Sequence, residues 1–391
     1  MTFLRYALLS ARMQKSWSVN DLASPRILSA RGTGFGVLAF VLAILGASNL
    51  HAGTSQAPAP APAEAIAEEA ESCLTCHSDN SLTRTLDSGE TAPLFMKPDG
   101  LAQSVHKTLR CTDCHAGLGE VPHPERRQKN LLQWKTSFAE VCKTCHFDNY
   151  TKTLDSVHYG LQVRGDAFAP NCVKCHGSHE ITHPAQPRSR ISQTCATCHE
   201  GVYAKYARSV HGKALLEDGN QDVPVCTDCH RSHDIAGTKD RAWLMKTPAL
   251  CGRCHADGKL MGKYGLSPAV LSTYLADFHG TTAGFGASGK GPASERLVAV
   301  CTDCHGIHDI AKVKDPSSSV FRTNLVKTCR KCHANASENF PAAWMSHYEP
   351  TFSRAPLVYS VKMFYVFIIP LIVGGLILQI LLHLWRVVVN R

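Results

Sequence analysis

Two uninterrupted apolar runs stand near the ends of the chain, and the long interior between them keeps no sustained period. The first, Val37 to Gly46, follows Arg26 and Arg31 and is succeeded by Leu50-His51-Ala52. This order of basic, apolar and small residues is that of a secretory signal, so residues 1–52 are expected to be an export segment cleaved after Ala52. The basic lead is long for a signal; a later start codon or an uncleaved helix fits the same residues. The second run, Met363 to Trp385, has 23 residues without a formal charge, between Lys362 and Arg386. A buried core helix is the competing reading, but about 20 apolar residues already span a bilayer. A transmembrane anchor over 357–389 is expected, with Arg386 and Arg391 on the cytoplasmic side. Pro370 and Gly374-Gly375 predict a bend and a flat face that another helix could approach.

In the interior neither the 3.6-residue nor the two-residue alternation persists, and Gly and Pro interrupt often. Short helices and loops with little or no sheet are expected, mainly α and irregular. Residues 53–68 are Pro/Ala-rich and read as an extended linker.

Composition changes this picture at two residue types. Of 391 residues, 44% are apolar and 19% charged, which excludes wholesale disorder. The 18 Cys and 21 His are far from ordinary. Every Cys falls in a pair with two residues between: Cys73/Cys76, Cys111/Cys114, Cys142/Cys145, Cys172/Cys175, Cys195/Cys198, Cys226/Cys229, Cys251/Cys254, Cys301/Cys304 and Cys329/Cys332. A histidine follows each second Cys at once: His77, His115, His146, His176, His199, His230, His255, His305 and His333. Chance would give roughly 0.04 such strings in a chain of this make-up.

Three chemistries compete for the pattern. Vicinal disulfides would leave the histidines unexplained and close loops too short to constrain much. Tetrahedral zinc does not need a His directly after every second Cys. Covalent haem c needs that order, because two thiols bond the porphyrin and the adjacent His reaches the iron from the same short turn. Nine haem c groups are expected, with the 18 cysteines as thioether donors and the nine motif histidines as proximal ligands.

Nine irons also need sixth ligands. With the motif histidines, His51 and His383 set aside, ten remain for nine irons. Met96, Met245, Met261 and Met345 are the only methionines in the same region, so bis-His ligation is favoured throughout. The histidines recur in register: His106, His158, His211 and His279 open repeats of about one motif pair each, and His179, His233 and His308 stand three residues past a motif His. His347 closes the series. The first repeat departs from this offset and offers His123, in Val-Pro-His-Pro; the second offers His183 as well as His179. The distal set is therefore read as His106, His123, His158, His179, His211, His233, His279, His308 and His347, with His183 the rival of His179.

Residues 69–353 carry this array, too few per haem for a conventional core, so haems packed in a row are expected to be the core. From His279 to Cys301 is 22 residues, against 5, 14 and 15 in the other repeats, and Gly280–Gly291 is too rich in Gly to be expected in regular structure. The net charge of +9 falls to +5 without residues 1–52. Two propionates per haem would add roughly −18, so nucleic-acid binding is not indicated.

From Cys73 to His347 the chain resembles the multihaem c-type cytochromes with doubled C-x-x-C-H motifs. The resemblance implies a periplasmic, membrane-anchored electron-transfer protein of the respiratory chain rather than an enzyme. Such a protein is expected to act between the quinone pool and other periplasmic redox proteins, through a quinone-reactive cytochrome b-type membrane subunit. His383 reads either as an interfacial polar residue or as part of that partner's quinone or haem surroundings. A multihaem nitrite- or hydroxylamine-type oxidoreductase would keep an open iron, sometimes through C-x-x-C-K, and no such string occurs. A polymerising filament subunit would not need the membrane helix.

Overall fold

The computed structural model describes residues 62–238, 241–287, 298–343 and 347–390, all within the unit Ala59–Arg391. The export segment, most of the linker and the end of the Gly-rich insertion lie outside the described residues.

The chain is helix-rich, with strand confined to one antiparallel hairpin among the described residues, Thr83–Thr85 against Thr91–Pro93. Most helices are one to three turns long, and the motifs sit on them. Cys111–Cys114, Cys172–His176, Cys226–His230 and Cys301–His305 are single helical turns. The remaining motifs start within or end longer segments such as Ala63–His77 and Thr247–His255. A turn of helix suits the motif because residues i, i+3 and i+4 share one face. The bond that closes the turn is present: His115, His146, His199 and His333 each donate their N–H to the first Cys carbonyl, at 2.8 to 2.9 Å.

Local capping fixes where these turns begin. In the three Cys-Thr-Asp-Cys motifs the aspartate reaches back to the backbone N–H before the first Cys. Asp113 accepts from Arg110 at 2.8 Å, Asp228 from Val225 at 2.7 Å and Asp303 from Val300 at 2.8 Å. This is the carboxylate half of a capping box. The residue after the motif His leaves the turn with positive φ at Gly177 (79°), Gly306 (80°) and Arg231 (67°). Only Arg231 has a side chain to be strained there.

Buried apolar side chains are few and scattered, among them Leu86, Ala92, Leu215, Val225, Met261, Tyr274 and Val300. They pin neighbouring helices together without forming one continuous core. A second device ties repeat to repeat. The N–H of Val105 donates to Ile181 O at 2.8 Å, Val157 to Ile235 at 2.9 Å and Val210 to Ile310 at 2.7 Å. Each of these clasps joins the residue before a repeat-opening His to the residue two past the near His of the following repeat.

Two sequence expectations change. Residues 63–68 are not extended linker: the helix Ala63–His77 begins among them, since Ala-Glu-Ala-Ile-Ala-Glu-Glu-Ala is strong helix-forming sequence. The Gly-rich stretch starts as helix, Phe278–Ala287, because Asp277 Oδ1 accepts from Gly280 N–H at 2.9 Å and caps it. Gly280 is also required by contact, as a Cβ there would run into the backbone of Tyr274. The C-terminal helix runs from Pro356 to Val389 with Pro370 inside it, over the apolar span read from the sequence. It is long and apolar enough to cross a membrane, and no residue of it is buried. Its 34 residues reach about 50 Å, beyond the roughly 30 Å of hydrocarbon.

Candidate haem-binding centres

The nine motif histidines and the nine histidines read as distal come together in nine pairs. Ring centroids are 6.2 Å apart for His77–His123, His158–His199, His176–His233, His211–His255 and His305–His347. They are 5.9 Å apart for His106–His146, 6.0 Å for His115–His179 and His230–His308, and 6.3 Å for His279–His333. No histidine is used twice. His183 stays outside the pairs, exposed, with its Nδ1 accepting from the Ala185 N–H at 3.3 Å.

This spacing fits a metal between two imidazoles. A metal–nitrogen bond of about 2 Å, plus roughly one ångström from that nitrogen to its ring centre, puts the metal about 3 Å from each centroid. Two such arms span the observed separations. The cysteines of each motif lie one helical turn from the proximal ring, as thioether attachment needs.

The pairing runs across repeats, which the sequence did not reveal. A repeat-opening His pairs with the second motif of its own repeat: His106 with His146, His158 with His199, His211 with His255, His279 with His333. A near His pairs with the first motif of the repeat before it: His179 with His115, His233 with His176, His308 with His230. His123 and His347 complete the same rule at the two ends.

Thiol contacts order the motifs. The thiols of Cys73 and Cys111, Cys142 and Cys172, Cys195 and Cys226, and Cys251 and Cys301 are close enough to influence one another's ionisation. Between these couples, Cys114 senses Cys145, Cys175 senses Cys198, Cys229 senses Cys251 and Cys304 senses Cys329. The nine motifs therefore follow one another in space as they do in sequence.

Three second-position cysteines differ from the rest of the expected thioether set. Exposure does not set them apart, since Cys76 and Cys332 are exposed like Cys114 and Cys145 and Cys254 is half-buried like Cys304; the difference lies in their thiol neighbours. The succession of thiols just traced does not run through Cys76 or Cys254, and Cys332 touches it only through the influence it has on Cys304. Backbone bonds of the kind found at other motifs hold these three. Cys76 O accepts from Asp79 N–H at 3.1 Å, Cys254 O accepts from Asp257 N–H at 3.0 Å, and Cys332 N–H donates to Cys329 O at 3.2 Å. Motif spacing, and no thiol neighbour, therefore carries the reading of Cys76, Cys254 and Cys332 as donors. Position accounts for two of them: Cys76 belongs to the first motif and Cys332 to the last, so each has a neighbouring motif on one side alone; in the motif of Cys254 it is the first thiol, Cys251, that meets both Cys229 and Cys301.

The surroundings favour neutral imidazole, the form that binds metal. Burial above all, with His179, His77 and Arg126 adding to it, pushes His115 down to about 4. Burial and then His255 push His211 down to about 4. Burial, followed by the neighbouring Cys73 thiol, raises Cys111 to about 11. In the first pair the rings are also oriented: His77 Nδ1 meets Leu94 O at 2.7 Å and His123 Nδ1 meets Glu120 O at 2.8 Å. That leaves Nε2 of each to face a metal.

Aromatic side chains against these rings escaped sequence reasoning because they follow no period. Phe138 meets His115 edge-on at 5.2 Å, Phe340 lies 5.1 Å from His333, and Trp243 stacks on His230 at 5.5 Å with 3° between planes.

A family model described as cytochrome c3 matches residues 166–256. That stretch holds four of the nine motifs, from Cys172 to His255. The match supports a multihaem c-type cytochrome with covalently bound haem c and a role in electron transport. Neither the curated proteins nor the solved structures yield a match.

Proposed function

We propose that the chain is a membrane-anchored nonahaem cytochrome that carries electrons between the quinone pool and other redox proteins of the periplasm. One observation carries this reading: each of nine motif histidines faces one further histidine at 5.9 to 6.3 Å. Haem c, when bound, supplies a reversible one-electron iron couple. The residues do the rest. The 18 cysteines would hold the groups covalently, and the nine proximal and nine distal histidines would ligate the irons. A protein histidine on each side would leave no place for substrate at iron, which suits a carrier and not an oxidoreductase active site. Two imidazoles without a methionine suit low potentials. The thiol-to-thiol succession of motifs supports a continuous row from Cys73 to His333.

The helix Pro356–Val389 supports an anchor in the inner membrane, the haem array lying on the periplasmic side. A single helix cannot enclose a quinone between helices, so a quinone-reactive cytochrome b-type subunit is proposed as membrane partner, docked on the Gly374-Gly375 face. The experiment is intact mass with electron paramagnetic resonance on the full-length protein. Nine haem additions and low-spin signals alone are expected; fewer additions, or a resting high-spin haem, would overturn the reading.

A further inference from the structure

Three of the four repeats open on a buried serine: Ser104, Ser156 and Ser209. Each hydroxyl caps the turn that carries the distal His. Ser104 accepts from His106 N–H at 3.1 Å, Ser156 from His158 N–H at 3.2 Å and Ser209 from Gly212 N–H at 3.0 Å. Ser104 Oγ also donates to Ile181 O at 3.2 Å, which sets it between the strand of chain bearing His106 and that bearing His179. The capped position thus lies beside two distal histidines that serve two different centres.

The fourth repeat has Asp277 in this place. Its Oδ1 makes the same cap, to Gly280 N–H at 2.9 Å. Capping needs only a neutral oxygen, as the three serines show, so the charge is unexplained by folding. Asp277 lines one cavity with Tyr274, His279, Cys301, Cys304, His305 and His347. Its carboxylate lies within electrostatic reach of His347. These residues belong to the His305–His347 and His279–His333 pairs. His347 stands nine residues before Pro356, so this end of the array is the one tied to the long helix.

The geometry points to Asp277 as a positioning residue that lowers the potential of the centre held by His305 and His347, and with it that of His279 and His333. The inference rests on the ligand reading above. Removing an electron from iron leaves a site one unit more positive, and a partly buried carboxylate beside the ligands favours that oxidised state. The serines in the same place in the other repeats give no such bias; Glu180, Asp234 and Asp309 act in the same sense on His179, His233 and His308, each from the residue directly after the near His.

Spectroelectrochemical titration of the full-length holoprotein tests this. Asp277→Ser restores the residue of the other repeats and keeps the cap; Asp277→Asn keeps the shape. Both should move one or two of nine midpoint potentials upward with all haems still low-spin. Ser209→Asp should move potentials downward in the middle of the row. Unchanged potentials in both Asp277 variants, or in Ser209→Asp should the Asp277 variants not fold, would overturn the inference. His347→Ala separates the two readings: one new high-spin haem upholds the ligand assignment whatever Asp277 does, and none defeats it.

Discussion

Excision of residues 156–208, one whole repeat, tests the interlocked pairing most severely. The cut joins Asp155 to Ser209. Ser156 and Ser209 are both buried helix caps of similar backbone, at φ −81°, ψ 143° and φ −69°, ψ 166°. The splice therefore demands no new local conformation. It removes the motifs at Cys172 and Cys195 together with His158 and His179, and strands two histidines, His115 and His233, which have lost their partners. By the rule of pairing, His233 now occupies the place of His179 and faces His115. Likewise Val105 N–H meets Ile235 O where Ile181 stood. Two clasps remain of three, a loss of about 1 kcal/mol in net hydrogen bonding. Stability in a repeat array is roughly a sum of units and interfaces, so the shortened chain should fold somewhat less stably. Intact mass should show seven haems, and electron paramagnetic resonance should show all seven low-spin. A shifted excision, residues 158–181, removes one motif but both His158 and His179, leaving eight motifs for seven partners. One high-spin haem is expected there. High-spin iron in the 156–208 variant would refute the transferable register on which this reasoning stands.

Other outcomes follow from single features. His179→Ala should turn one haem of nine high-spin while His183→Ala leaves the spectrum unchanged; the reverse would exchange their roles. Arg231 holds φ 67°, ψ −179°, a region suited to glycine. Arg231→Gly should therefore raise the unfolding free energy by about 1 kcal/mol in guanidinium titration of the holoprotein, despite loss of the 2.6 Å ion pair with Asp234. An unchanged or lowered midpoint would contradict the strain. Truncation after Arg354 should release the protein from membranes with its haem content intact; a truncated chain that still sediments with membranes would count against the anchor.

Much of the chemistry was legible because it is written in short strings. A C-x-x-C-H motif fits one helical turn, and its reading needs no knowledge of the rest of the chain. The count of histidines bounded the distal set, and offset from the motif favoured His179 over His183. The lack of any long amphipathic period rightly signalled short helices without a common core. Partners were not legible, since a near His meets the first motif of the repeat before it across intervals that vary, as from His115 to His179 and from His230 to His308, and no local string marks the match. The different settings of Cys76, Cys254 and Cys332 were hidden too, because the motif string is the same everywhere and only folding decides which thiols meet. The clasps are backbone hydrogen bonds, which leave no side-chain signature beyond Val and Ile. The helix at Phe278 was hidden by its glycines, and only the Asp277 cap and the close approach to Tyr274 explain it.

The crossing of ligands between repeats has a consequence for how the chain matures. A repeat-opening His precedes its motif, so that centre has both side chains as soon as the motif exists. A first-of-repeat centre must wait for a histidine 42 to 78 residues further on, from His305 to His347 at the short extreme and His230 to His308 at the long one. In a chain exported amino end first, as proposed above, one proximal histidine at the newly emerged edge would thus always be unmatched, and each new segment would complete the one before it. Assembly would then be ratcheted like roof tiles, every course locked by the next, and the last tile would be His347, laid just before the long apolar helix.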